Sequence, residues 1–300
     1  MIFSVAGVIS MAMHFSTSGS PVPLGIDFRG GTDVQVQFKS APDIGQIRKS
    51  LDSIGIHDAK IVTIAGAGQG QQNEVLISLP RESNENQLDT GRSNINKSLD
   101  TVYAGQYTIQ NVSVVGPTVG KQLQKKAIVA TLWSLLGMLV YLWFRFELIY
   151  GVAAVVAVFH DTLITIGAFA LTNQEMSLTV IAAILTLIGY SMNDTIVVFD
   201  RIRENLRMNR KESLPEVVNR SINQTLSRTV LTSGLTFLTV LSLFIFGGEV
   251  LHGFSFALVI GILIGTYSSI AVAAPMLVAY QEWRANSGKK TALPAAKGGR

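Results

Sequence analysis

The sequence predicts an α-helical polytopic membrane protein with six transmembrane helices and one ferredoxin-like α+β domain outside the membrane, inserted between the first two. Three observations predict it. The chain of 300 residues has a positive mean hydropathy of +0.37 and only 15% charged residues, which no ordinary soluble domain shows. Its apolar residues gather into six runs, near 2–17, 123–144, 151–171, 178–199, 229–246 and 252–280, and the last five are each long enough to cross the bilayer. Between the first two runs lie about one hundred residues with strand and helix patterning, enough for a small domain of their own.

The first run, 1–17, is short and ends at the polar Ser16–Ser20 stretch. A signal peptide has a similarly short apolar centre. However, no Lys or Arg precedes the run, and Pro21–Leu24 continues it, so the expectation is an uncleaved first span. A chain start upstream of Met1 would account for its length.

Segment 18–122 is expected to form the outer domain. Val34, Val36 and Phe38 alternate with Gln35, Gln37 and Lys39, the pattern of a half-buried strand. Asp43 is placed to cap a helix whose Ile44, Ile47, Leu51 and Ile54 share one face. A second strand reads near 59–64 and runs into a glycine-rich turn at 66–70. A third lies at 74–79, stopped by Pro80. Leu88, Ile95, Leu99 and Val102 stripe a second helix, and 107–115 forms a fourth strand. This β-α-β-β-α-β order offers a sheet face and edges, and by itself implies no chemistry. Two glycine-bearing motifs bracket the domain. GIDFRGGT (25–32) carries Gly25, Asp27, Arg29, Gly30 and Gly31, and the stretch 114–120 carries Gly116, Pro117 and Gly120. Without a strand before it or a Gly-Lys-Ser/Thr ending, the first is no phosphate loop. Both are expected to be hinges in which glycine supplies positive φ, with Asp27 and Arg29 as polar contacts at the membrane interface.

The remaining spans form a five-helix bundle over 123–282, followed by a plain tail, 283–300. Basic residues crowd the 201–228 loop and the tail and are missing from the short loops 172–177 and 247–251. The positive-inside rule then places both termini and the 201–228 loop in the cytoplasm and the domain across the membrane. This distribution explains the net charge of +4 without nucleic acid. Absence of cysteine removes disulfide, thiol and Cys–metal chemistry, and no cofactor or metal is expected.

The candidate functional residues lie inside the spans. Asp194 stands roughly 24 Å along a helix about 34 Å long that begins near Leu178. An ionised carboxylate in hydrocarbon costs at least a few kcal/mol and normally faces a bundle interior with a function. Asp161, mid-way along the third span, either ties neighbouring helices together by hydrogen bonds or titrates. His160 is its chain neighbour, but the two side chains leave the helix about 100° apart. Arg228 is the last charge before the fifth span, entered by a helix that starts at a Ser213–Glu216 capping box. It is either an interfacial anchor or the counter-ion of a membrane carboxylate. Gly261, Gly265, Ser269 and Ala273 mark a close-packing face on the last span.

GIDFRGGT, VGPTVG, the FRFE turn (144–147), the His160–Asp161 pair, GYSMNDTIVVFDRIRE (189–204) and SRTVLTSG (227–234) together resemble, in order and over nearly the whole chain, the SecF family of Sec accessory membrane subunits. That family is similar to half of an RND-type transporter. The resemblance implies use of the proton-motive force, pairing with SecD, association with the SecYEG channel, with YajC and YidC as further partners, and an unfolded exported polypeptide as cargo in a bacterial inner membrane. It also implies a proton-coupling role for Asp194 and Arg228; Asp161 is kept as a third proton-coupling candidate on its position in the third span alone. The alternatives are a stand-alone RND-type proton-coupled small-molecule exporter, an intramembrane aspartyl protease, and a structural receptor. The protease lacks its Gly-x-Gly-Asp signature, because Asp194 follows Ser191–Met192–Asn193.

Overall fold

A computed structural model describes residues 2–57, 59–64, 73–80, 88–145, 148–208 and 212–286. The glycine-rich turn at 66–70, the second half of the FRFE turn and the end of the tail lie outside these. The chain builds two separate apolar cores, one in a membrane bundle and one in an α+β domain.

Helix α1 (Ile2–Ser18) leads through an extended stretch to the short helix α2 (Ile26–Arg29) and strand β1 (Gly31–Phe38). Helix α3 (Ile44–Ser53), strands β2 (Lys60–Ile64) and β3 (Glu74–Pro80), helix α4 (Leu88–Tyr103) and strand β4 (Tyr107–Val115) complete the domain. All neighbouring strands are antiparallel, in the order β2-β3-β1-β4, with a register shift between Gln35 and Val36 against β4. The period-two pattern of β1 sends Val34, Val36 and Phe38 into a core shared with Ile47, Leu51, Ile95 and Leu99. Asp43 caps α3, its Oδ1 accepting from the backbone N–H of Gly45 at 2.7 Å. Ser50 and Ser98 cross-link α3 and α4 by a buried 2.8 Å hydrogen bond. The opposite face of the sheet is polar and looks down onto the membrane bundle.

Among the described residues, five helices are long and apolar enough to cross a membrane. They are α5 (Pro117–Arg145), α6 (Leu148–Thr172), α7 (Leu178–Met208), α8 (Leu214–Phe246), and α9 (Gly248–Ser268) continued by α10 (Ala274–Asn286). The last two are joined by a π-helical stretch, Ser269–Ala273. Pro275 stands two residues beyond its end; a proline without N–H clashes with the carbonyl four residues back, that of Ala271 within the stretch, and a widened turn relieves that clash. Helix α1 packs on α6, where the backbones of Gly7 and Gly167 touch and His14 Nε2 lies 3.1 Å from the carbonyl oxygen of Ala170.

The two glycine motifs meet each other and the bundle. Gly30 has φ 78°, a conformation that favours glycine, and turns the chain from α2 into β1. In the exit motif the expected positive φ is not found. Gly120 lies inside α5, where a Cβ would stand 2.9 Å from the Phe28 carbonyl oxygen, so its purpose is close approach of α5 to α2. Gly116 also lacks positive φ among the described residues, because Pro117 already opens the helix there. Backbone hydrogen bonds of 2.8 Å from Gly25 to Met176 and from Met176 to Pro23 tie this junction to the loop before α7. Asp27 Oδ2 accepts from the N–H of Leu178 at 2.8 Å, placing a carboxylate on the positive end of α7.

Candidate functional site

Helix α7 buries one continuous seam: Val180, Ile184, Leu187, Ser191, Asp194, Val198 and Ile202 recur at intervals of three and four. That spacing puts Ser191 and Asp194 on the inner face of the bundle one turn apart. Asp194 is only 3% exposed, and its Oδ2 accepts from the Ser233 hydroxyl of α8 at 2.7 Å. Asp161 on α6 is 1% exposed, and its Oδ2 accepts from the Ser191 hydroxyl of α7 at 2.6 Å. Its Oδ1 lies 3.1 Å from His160 Nδ1. The adjacent pair therefore do touch, by bending round the helix, although their Cβ directions diverge.

The two carboxylates thus sit on a chain of three helices, α6–α7–α8, each linked to the next by one serine hydroxyl. A serine hydroxyl donates to an ionised carboxylate and accepts from a protonated one, so either state of Asp194 keeps its hydrogen bond to Ser233. A hydrogen bond to a charged group contributes about 1.5–3 kcal/mol, comparable with the lower estimates of the cost of charge in a bilayer. The arrangement can hold a proton or release it without breaking the bundle.

Further buried hydroxyls surround this layer. Tyr190 OH, Thr229 Oγ1 and Ser268 Oγ have no hydrogen-bond partner among the described residues. Gly265 of α9 presses on Ser191, where a Cβ would stand 3.1 Å from both Cβ and Oγ of the serine. Gly261 does the same against Leu187, and Ser269 and Ala273 are fully buried in the π-helical stretch. The close-packing face read from the sequence is the contact between α9 and α7.

Arg228 is placed differently from the carboxylates. Its side chain is exposed, and among the described residues it forms no ion pair with Asp194, although its charge lies within electrostatic reach of that carboxylate. It shares that side of the helix with Leu231, Leu235 and Leu238, all exposed. Arg201, two turns after Asp194, is also directed elsewhere, to Glu204 at 2.6 Å and Gln224 at 2.7 Å. Among the described residues no group of His, Asp and Glu is arranged to hold a metal.

Sequence reasoning missed the two serines that carry the carboxylates. Ser191 and Ser233 stand in the motifs that include Asp194 and Arg228, and their helical phase was the one available signal. It also missed a polar cleft under the sheet, where Asp33 shares the strand parity of Gln35.

Comparison with known proteins adds to this geometry. The family described as protein export membrane protein SecD/SecF, C-terminal, matches residues 94–283, and the SecD/SecF GG motif matches 15–42. The protein translocase subunit SecF of Koribacter versatilis is 51% identical, covering 98% of this chain and 91% of its own length. That of Calditerrivibrio nitroreducens is 43% identical over 92% of this chain and 90% of its own length. Among solved structures, SecDF of Thermus thermophilus, a translocon-associated membrane protein, superposes with a TM-score of 0.77 at 37% identity over 94% of this chain. SecDF in a super-membrane-facing form gives a TM-score of 0.67 at 36% identity. The chain spans 37% of the length of the Thermus SecDF chain.

Proposed function

Because this chain belongs to the SecF family of protein translocase subunits, a non-catalytic accessory component of Sec protein export, we propose that it couples the proton-motive force to that export. The observation that carries the proposal is Asp194: a carboxylate buried in a membrane helix, held by a hydroxyl that serves both protonation states. A stand-alone small-molecule exporter is set aside by the near full-length likeness to translocase subunits.

In this reading α1 is a sixth span and the α+β domain is ferredoxin-like, outside a bacterial inner membrane, with both termini in the cytoplasm. A SecD partner supplies the complementary six spans and covers the outer face of α8. Two observations support this: that face is apolar and exposed around Arg228, and the matched SecDF chains continue well beyond the region they share with this one. Across that junction Arg228 acts on Asp194 or on a carboxylate of the partner. Proton uptake by Asp194 changes how α7 and α8 pack. The start of α7 is bonded to Asp27 and to the loop at Met176, so the change passes through the Gly25–Gly31 and Gly116–Gly120 motifs to the domain. Asp161, joined to α7 through Ser191, shares the coupling. The domain then draws the unfolded exported chain outward at SecYEG, with YajC and YidC as associated partners. Moving one charge supplies about 2.3 kcal/mol per 100 mV, enough to shift a two-state equilibrium substantially.

The test is export into energised inverted vesicles. Asp194→Asn is expected to abolish the proton-dependent stimulation while the variant still copurifies with its SecD partner. Full stimulation in that variant would overturn the proposal.

A further inference from the structure

Between the polar face of the sheet and the outer rim of the bundle lies a cleft of about 290 Å³. Its roof carries Asp33 and Gln35 of β1, Lys60 of β2 and Ser78 of β3; its floor carries Glu175 and His252. One ion pair crosses it, Lys60 Nζ to Glu175 Oε1 at 2.9 Å, and among the described residues this is the only one from the sheet to the bundle. Asp33 Oδ1 is shut away from solvent and has no hydrogen-bond partner among the described residues. Glu175 stands in the loop that leads into α7, the helix of Asp194.

We propose that Asp33 is the trigger of a proton-operated latch, which seats the outer domain on the bundle when Asp33 is protonated and loosens it when Asp33 is ionised. The groups that face Asp33 decide the direction. From α2 comes Asp27, from the loop before α7 comes Glu175, from β2 comes Lys60, and from the start of α9 comes His252; Ser78 and Ser113 on the flanking strands carry no charge. With Asp33 ionised, the charges of Asp27 and Glu175 both oppose it, and the one lysine that offsets them, Lys60, is shared with Glu175. Opening the cleft lets water reach the unpartnered oxygen and separates the like charges. With Asp33 neutral both penalties vanish and the Lys60–Glu175 pair closes the seam unopposed.

Burial pushes the Asp33 carboxyl up from 3.8 to about 6, with the Ser78 hydroxyl pulling the other way and Glu175 and Asp27 adding to the rise. The closed state therefore binds the proton more tightly than the open one. Its penalty is present in full above pH about 6 and is relieved as pH falls; it would vanish only below 3.8, the ordinary aspartate value, if opening freed the carboxyl completely. The gap between those values sets a ceiling of about a hundred-fold on the change in the closed-to-open ratio. Part of the burial comes from the sheet itself, so the expected change is about ten-fold.

The chain has no cysteine, so after it is labelled alone and then joined to its partner the spin labels sit only at the introduced sites. Labels at Lys97→Cys on α4 and Thr172→Cys at the end of α6, both exposed, read the seating of the domain by electron–electron distance in the full chain with its partner in nanodiscs. Asp194→Asn is used as the background, to remove that titration. From pH 8 to pH 5 the ratio of the seated to the unseated distance population is expected to rise about five-fold, with most of the rise below pH about 6 and the full ten-fold reached only at lower pH. Asp33→Asn is expected to be seated at every pH, and His252→Gln to keep the transition. A flat profile in the parent, an unchanged profile in Asp33→Asn, or its loss in His252→Gln would overturn the latch. Because distance and not export is read, that result leaves the assignment of Asp194 standing, and failure of Asp194→Asn in vesicles leaves the latch standing.

Discussion

At the residue scale, the functional layer depends on two serines. Ser233 donates to Asp194 and Ser191 donates to Asp161, in each case across a helix boundary. Ser233→Ala leaves Asp194 without its hydroxyl partner but keeps the carboxyl group. Proton-dependent stimulation of export in vesicles is expected to fall about ten-fold, less than the complete loss in Asp194→Asn, since a hydrogen bond to a charged group contributes about 1.5–3 kcal/mol. Ser233→Thr retains a hydroxyl and is expected to recover most of it, which a purely steric role for Ser233 does not explain. Full stimulation in Ser233→Ala would remove the serine from the mechanism. Asp194 itself was legible as an anomaly because a charge in an apolar run needs no structure to be noticed. Its partner was not, since hydroxyls are common in membrane helices and only the crossing of α7 with α8 selects one.

At the element scale, close approach is built from glycines, and their roles differ although the residues are the same. Gly120 lets α5 lie against the carbonyl of Phe28, so Gly120→Leu is expected to force α2 away from α5 and to lower the melting temperature of the protein by several degrees. Gly137 in the same helix has nothing within 4 Å of a Cβ position, and Gly137→Ala is expected to be neutral or to raise stability by up to about 1 kcal/mol through helix propensity. A thermal melt in detergent compares the two; equal effects would refute the packing account. The five long apolar helices and the four strands were readable, because both follow from hydrophobic runs and periodicity. The π-helical stretch before Pro275 was not noticed, although a proline inside an apolar run is its signal.

At the scale of the whole molecule, the domain and the bundle have separate apolar cores, joined through α2, the loop at Met176 and the Lys60–Glu175 pair. Leu51 is 1% exposed in the core of the domain. Leu51→Ala is expected to cost the domain about 2–5 kcal/mol while the bundle keeps its helicity, seen as an earlier first transition in circular dichroism and early proteolysis within 31–115. A single shifted transition would mean that the two cores melt as one. The latch belongs to this scale as well, because Asp33 and Glu175 come from the sheet and from the bundle and act on each other across the cleft.

By itself the sequence determined the membrane class, the long helices, the strand pattern of the inserted domain, and the carboxylates at 161 and 194. These follow from local physics: the length of an apolar run, a period of 2 or 3.6, and the cost of a charge in lipid. Only the tertiary structure decided which hydroxyl meets which carboxylate, that Gly120 is for packing and not for turning, that Arg228 is exposed without an ion pair to Asp194, and that one carboxylate oxygen of Asp33 is shut away in the cleft below the sheet. Each of those depends on which surfaces face one another across distant parts of the chain, and no local pattern carries that information.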